Sequence, residues 1–174
     1  AALTGTNALT WDGSAETNGS FNITGSSQAD TITGGAGADT LTAGSGDDTI
    51  SSGNDADTII LGTNLTSSDT IDGGAGTDEL RFTDSGSATT DLDGVTNVET
   101  VTLGDAATSV TTVDALVGNG QTLTVSAAAL TGTNALTWDG SAETNGSFNI
   151  TGSSQADTIT GGAGDVIITG GDGT

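Results

Sequence analysis

The 174-residue chain has no cysteine, methionine, proline, histidine or tyrosine, and two Trp and three Phe are its only aromatic residues. Each absence removes a class of explanation. Without Cys no disulfide can staple the fold, and without His or Cys no zinc site can be built. Basic side chains are almost missing too: Arg81 alone faces 23 acidic residues, for a formal charge of −22. Such a chain cannot neutralise phosphates, which excludes nucleic acid as a partner. No apolar run approaches the ~18 residues of a membrane span, which speaks against membrane insertion. The opening AALTGTNALT has neither the basic end nor the apolar stretch of a signal peptide, and it begins without Met, so the chain reads as a piece of a longer protein.

The same scarcity thins the catalytic inventory to carboxylates and hydroxyls. Glu16, Glu79, Glu99 and Glu143 are the only glutamates, and no two form a recognisable glycosidase pair; Glu16 and Glu143 are one site in two copies. The chain therefore reads as no enzyme. With few large apolar side chains and strong self-repulsion, burial alone does not offset backbone entropy, and the bare chain sits near the disordered class.

What is present is Asp and Gly. Nineteen of the acids are Asp, beside 29 Gly. Asp is a poor helix residue, a good turn residue and a short ligand for hard cations, so the bias points to metal-lined turns. Residues 25–60 divide into GSSQADTIT, GGAGADTLT, AGSGDDTIS and SGNDADTII, with Asp sixth and Ile or Leu eighth in every block. Small residues and Asp make a tight oxygen-lined loop, and the short strand after it points one aliphatic side chain inward. The second block fits G-G-x-G-x-D-x-U-x throughout. Residues 61–72 keep Asp-Thr-Ile with a longer loop, and GGAGTDELR at 73–81 returns to the pattern.

On these blocks the chain resembles the RTX, or haemolysin-type, calcium-binding repeats of secreted bacterial proteins. The resemblance implies an all-β fold: a right-handed parallel β-solenoid in which two nonapeptides make a turn and calcium ions lie between loops stacked 18 residues apart. Carried onto this sequence, one metal column is Asp30, Asp48 and Asp69, the other Asp39, Asp57 and Asp78, and Asp157 repeats Asp30 in a second copy. Loop backbone would come from Gly34, Gly35, Gly37, Gly44, Gly46, Gly53, Gly73, Gly74 and Gly76, then Gly161, Gly162 and Gly164. Strands ~4.8 Å apart and Ca–O distances of ~2.3–2.6 Å leave room for one ion between turns. Four inter-loop sites follow. Each site filled at ten times its dissociation constant adds about 1.4 kcal/mol, so four approach the stability of an ordinary domain. Magnesium suits a flexible carbonyl-rich cage poorly. The inward ladders are expected to be Ile32, Ile50 and Ile71, and Leu41, Ile59 and Leu80.

The largest regularity is a duplication: residues 1–37 recur unchanged at 128–164. Tandem modules of about 127 residues are the simplest source. Four segments result: β-helix turns at 1–24, the calcium β-roll at 25–81, turns with little or no metal at 82–127, and the second copy at 128–174. Period-2 patterns place strands around Leu9 and Trp11, around Phe21 and Ile23, at 98–103, at 108–113 and at 121–126. Asp114–Val117 is expected to make one helical turn. Trp11 and Trp138 suit either a core role, which is favoured, or a sugar-stacking platform. At 165–166 Asp-Val replaces Ala-Asp, putting Val where the ligand belongs, so that loop is expected to bind poorly.

NVETVTL resembles segments between the calcium repeats of bacterial surface-layer and giant RTX proteins. The function expected is a calcium-stabilised structural module of an extracellular surface layer, fibre or filament, exported by type I secretion, self-associating by coaxial stacking, with cell-surface polysaccharide as a further partner. About seven turns per module would extend ~34 Å. Two alternatives stay open: a spacer or ice- or glycan-binding module of an adhesin, and the folding tail of a secreted enzyme.

Overall fold

A computed structural model describes residues 7–84, 86 and 89–171. Among the described residues the chain forms strands and no helix. The first eight are β1 (Thr10–Asp12), β2 (Asn22–Thr24), β3 (Thr31–Ala36), β4 (Thr40–Thr42), β5 (Thr49–Asn54), β6 (Thr58–Gly62), β7 (Thr70–Asp72) and β8 (Glu79–Phe82). Then come β9 (Val95–Thr96), β10 (Thr100–Leu103), β11 (Thr108–Thr111), β12 (Thr122–Ser126), β13 (Leu136–Asp139), β14 (Ser147–Thr151), β15 (Thr158–Thr160) and β16 (Val166–Thr169). Odd strands lie on one face and even strands on the other, so the chain crosses sides at every corner. All pairings are parallel, and the result is a β-solenoid of about 7 turns.

The Asp-Thr-aliphatic blocks explain this directly. Thr and Ile favour a pleated half-buried surface, and alternation sends the central aliphatic inward. Ile32 pairs with Ile50 and Ile50 with Ile71 on one face, while Leu41 pairs with Ile59 and Ile59 with Leu80 on the other. All six are buried. The ladders expected from the repeat are therefore the thin core of the fold. It continues past the repeats through Leu92, Val101, Leu103, Leu123, Val125 and Leu136.

The even sheet runs unbroken through eight strands from β2 to β16, whereas the odd face is divided into β1-β3-β5-β7-β9 and β11-β13-β15. Strands expected at 98–103, 108–113 and 121–126 are present within those ranges as β10, β11 and β12. The helical turn expected at Asp114–Val117 is not: these residues form a turn and bend, with Leu116 N–H bonded to the Val113 carbonyl at 3.2 Å. So short a segment does not nucleate a helix, and burial of Leu116 and Val117 pins it against the solenoid.

The two copies of the duplicated segment share one solenoid. β2 and β14, identical over Asn22–Thr24 and Asn149–Thr151, are six steps apart on the even sheet. One module thus adds six turns, about 29 Å at strand spacing, rather than the seven expected. The reason is rung length. Turns within the repeats advance 18 or 21 residues, but Thr100 pairs with Thr124, Thr122 with Ser147 and Thr108 with Leu136.

Candidate metal column at the acidic corners

Each repeat block puts its Asp at the corner immediately before a strand, and the parallel register stacks these corners. The backbone N–H of Asp30 donates to Asp48 Oδ1 (2.8 Å), and that of Asp48 to Asp69 Oδ1 (2.8 Å). On the opposite side Asp39 N–H donates to Asp57 Oδ1 (2.7 Å) and Asp57 N–H to Asp78 Oδ1 (2.8 Å). Asp157 serves the Leu136 amide in the same way (2.8 Å), as Asp30 serves that of Leu9. All seven expected aspartates therefore occupy corners. Asp30, Asp39, Asp48, Asp57, Asp69 and Asp78 are each at most 2 % exposed.

Their second oxygens divide them. In four loops Oδ2 is bound by the loop's own backbone: Ser26 N–H to Asp30, Gly35 N–H to Asp39, Thr66 N–H to Asp69 and Ser153 N–H to Asp157. In the two GSSQAD loops a serine hydroxyl also donates to the first oxygen, Ser26 to Asp30 Oδ1 and Ser153 to Asp157 Oδ1. Asp48, Asp57 and Asp78 have no such donor, and each keeps a buried Oδ2 without a hydrogen-bond partner. Burial is the main cause that pushes all three carboxyls above the ordinary range, opposed by the amide each one binds, and at Asp57 also by the nearby Ser52 hydroxyl, whose proton goes to the Gly73 carbonyl (2.6 Å), and reinforced by neighbouring carboxylates. For Asp78 the push is up to about 6.

Glycine makes the stacking possible. A Cβ on Gly34 would strike the Ser52 carbonyl and the Asp39 carboxylate, and one on Gly53, at φ +114°, would strike the Gly35 carbonyl. Backbone carbonyls of one loop thus lie against the backbone of the next, in spaces that a side chain would fill. The other expected loop glycines share this close approach: Gly37, Gly44, Gly46, Gly73, Gly74 and Gly76 in the first copy, and Gly162 and Gly164 in the second, each face a backbone atom of a neighbouring turn. Gly161 is different. Val166 stands where Asp39 stands in the first copy, its side chain packs under Gly161, and the Phe148 amide donates to the Asp165 carbonyl (3.0 Å) in place of a carboxylate.

These residues fit a hard divalent cation. The donors are all oxygens, the buried Oδ2 atoms of Asp48, Asp57 and Asp78 lack partners, and at Gly25, Gly34 and Gly73 a carbonyl of the next turn approaches the corners of Asp30, Asp39 and Asp78. Among the described residues no group of three or more His, Cys, Asp or Glu converges, so an ion here would draw on backbone carbonyls as well as carboxylates. The only basic side chain, Arg81, is spent on Glu79 at 2.6 Å near the surface. Among the described residues no side-chain cation reaches the column.

One residue of the ladder was not singled out from the sequence. Glu99 Oε2 accepts the Asp78 amide at 2.8 Å, as each Asp does for the corner before it. Its signal was the order acid-Thr-aliphatic in Glu99-Thr100-Val101, which repeats Asp-Thr-Ile without the glycine loop.

The RTX calcium-binding nonapeptide repeat family matches the chain in four copies, over residues 24–59, 66–82 and 151–174. No curated protein and no solved structure matches it. The matched segments carry the corners of Asp30, Asp39, Asp48, Asp57, Asp69, Asp78 and Asp157, and at these corners the chain carries RTX calcium-binding nonapeptide repeats.

Proposed function

We propose that this chain is a calcium-stapled structural module of an extracellular layer, fibre or filament, and that it has no catalytic role. Calcium ions lodge at the corners of Asp30, Asp39, Asp48, Asp57, Asp69 and Asp78, and most strongly where Oδ2 of Asp48, Asp57 and Asp78 is left without a donor. Export unfolded and folding outside the cell, where calcium is plentiful, follow from the secreted character of RTX proteins.

The observation that carries the structural role is the junction inside the chain. Trp138 is 1 % exposed because the preceding module covers it, with Val110 of β11 paired above it, whereas the identical Trp11 on β1 is only half-buried. A following copy therefore docks on the end of the one before it and continues the same sheets. Among the described residues the end strands β1, β2, β15 and β16 each pair on one side only, which suits the same contact between chains, and cell-surface polysaccharide is the anchor this reading assigns to the layer. Electron microscopy of tandem modules in calcium tests it: rods lengthening by about 29 Å per added module support coaxial stacking, and globular or bead-like particles contradict it.

A second reading has one observation in its favour. Thr10, Thr31, Thr49 and Thr70 stack in register on β1, β3, β5 and β7, all exposed, as an adhesin face for ice or glycan requires. Ice-growth and glycan-array assays in calcium decide it, and no activity in either removes it.

A further inference from the structure

We propose that the face formed by residues 9–21 is a docking surface for the 105–121 side of another copy of this module, and that Asp105 and Asp114 are the residues that recognise it. This recognition rests on the coaxial stacking proposed above and adds what stacking alone lacks, a reason for the end to accept one partner and refuse others.

The chain holds the same face in two states. In the second copy it is seated against residues 105–121, and Leu136, Trp138 and Phe148 are each at most 1 % exposed. In the first copy, among the described residues, no strand pairs with β1 on the side away from β3, and Leu9, Trp11 and Phe21 are only half-buried. The face keeps its shape in both states: the Trp and Phe rings meet edge-on with centroids 5.3 Å apart in the open copy and 5.8 Å apart in the seated one. It is therefore preformed, and little ordering is needed on docking.

One amide changes hands between the two states. In the open copy Glu16 Oε1 accepts the amides of Thr17 (3.0 Å), Asn18 (3.1 Å) and Gly19 (2.9 Å). In the seated copy Glu143 Oε1 keeps only those of Asn145 (3.0 Å) and Gly146 (2.7 Å). The Thr144 amide now goes to Asp114 Oδ1 at 2.8 Å, and the Thr144 hydroxyl joins it at 2.7 Å. At the other end of β11, Asp105 takes the Thr131 amide (2.7 Å), the Thr131 hydroxyl (2.6 Å) and the Asn134 side-chain amide (2.9 Å). Thr131 holds the Asp105 carboxyl below the ordinary range, and Thr144 does the same for Asp114. Both acceptors belong to the preceding module and all the donors to the following copy.

A bare strand edge pairs with any other edge, so selectivity has to come from side chains. In a chain with 23 acidic residues and one Arg, a partner without these Thr and Asn donors leaves Asp105 and Asp114 facing further carboxylates. That repulsion rejects the wrong end, while the five bonds reward the right one.

Acrylamide quenching of the full chain in saturating calcium reads the junction, with Trp11→Phe leaving Trp138 as the sole tryptophan and N-acetyltryptophanamide as the fully accessible reference. Trp138 is expected to be shielded. Asp105→Ala combined with Asp114→Ala is expected to lose that shielding while the far-ultraviolet spectrum of the calcium repeats persists. Thr144→Val, which removes one hydroxyl and keeps the amide, is expected to act in the same direction more weakly, and the identical change in the open copy, Thr17→Val, to leave Trp138 shielded. A Trp138 as accessible as the reference before any further substitution overturns the stacking reading and this recognition with it. A Trp138 that stays shielded in the double variant overturns the recognition alone. Loss of all β-structure in the double variant overturns it too, because the two aspartates would then hold the whole fold and not the junction.

Discussion

The Asp57 amide points at Asp78 Oδ1 across 21 residues of chain, at 2.8 Å, while the other oxygen of Asp78 is buried with nothing to bind. One carboxylate thus does two jobs: it satisfies the corner before it, and it waits for a charge from outside the chain. Removing the charge and removing the acceptor are therefore separable. Asp78→Asn retains an oxygen for the Asp57 amide and should raise the calcium needed for half-folding by roughly tenfold, equivalent to about 1.4 kcal/mol. Asp78→Ala also orphans that amide, costing a further ~1–3 kcal/mol. Asp93→Ala, an exposed position, should change little. Circular dichroism during calcium titration of the three variants checks the order.

Acidity should substitute for calcium in the metal-free protein. Asp78 is raised by burial from 3.8 to about 6, and Asp48 and Asp57 are raised for the same reason. A carboxyl raised in the folded state contributes stability that is complete below its unfolded pKa and is lost as pH rises through the folded one. For Asp78 the loss falls between about pH 4 and 6 or just above. Calcium-free protein, disordered at pH 7, should therefore regain β-structure and a thermal transition near pH 5, whereas calcium-loaded protein should not gain, since protons there compete with the ion. Thermal melts after exhaustive removal of calcium give the comparison.

Gly34→Ala should be costly and Gly170→Ala neutral. The added methyl at Gly34 meets the Ser52 carbonyl and the Asp39 carboxylate, neither of which can retreat without parting two turns, and at Gly170 it meets nothing within 4 Å. Overpacking of this kind costs about 1–3 kcal/mol. Calcium affinity should fall along with stability at Gly34, because the carbonyl that would be displaced faces the column.

The aliphatic ladder should behave as an ordinary core despite its thinness. Ile50 packs between Ile32 and Ile71 at 1 % exposure, so Ile50→Ala should cost about 2–5 kcal/mol and abolish folding at calcium levels that suffice for the wild type. Ile167→Ala, at 63 % exposure, should be silent in the same titration.

Much of this was legible in the sequence because the repeat fixes both chemistry and geometry at once. Asp at every sixth and Ile or Leu at every eighth position is enough to predict the corners of Asp30 to Asp57 and the ladder from Ile32 to Ile71. Three things were not legible. Whether an Asp spends its second oxygen on its own loop depends on which way one amide points: Ser26 turns inward to Asp30, whereas the loop before Asp48 passes through Gly44 and Gly46 at positive φ and offers no donor. Glu99 lacked a glycine loop to announce it. The number of turns per module depended on how much chain the 82–127 region spends at its corners, and in the absence of a repeat no spacing in the sequence measures that.

The central claim is that ions between stacked acidic corners are what make the chain a solenoid. Far-ultraviolet circular dichroism at neutral pH, recorded as calcium is added to stripped protein and then withdrawn with a chelator, tests it most directly. The expected result is a disordered spectrum without calcium, a cooperative rise of β-structure as calcium is added, and full reversal on chelation. A chelated chain that keeps its β-spectrum at pH 7 would contradict the account.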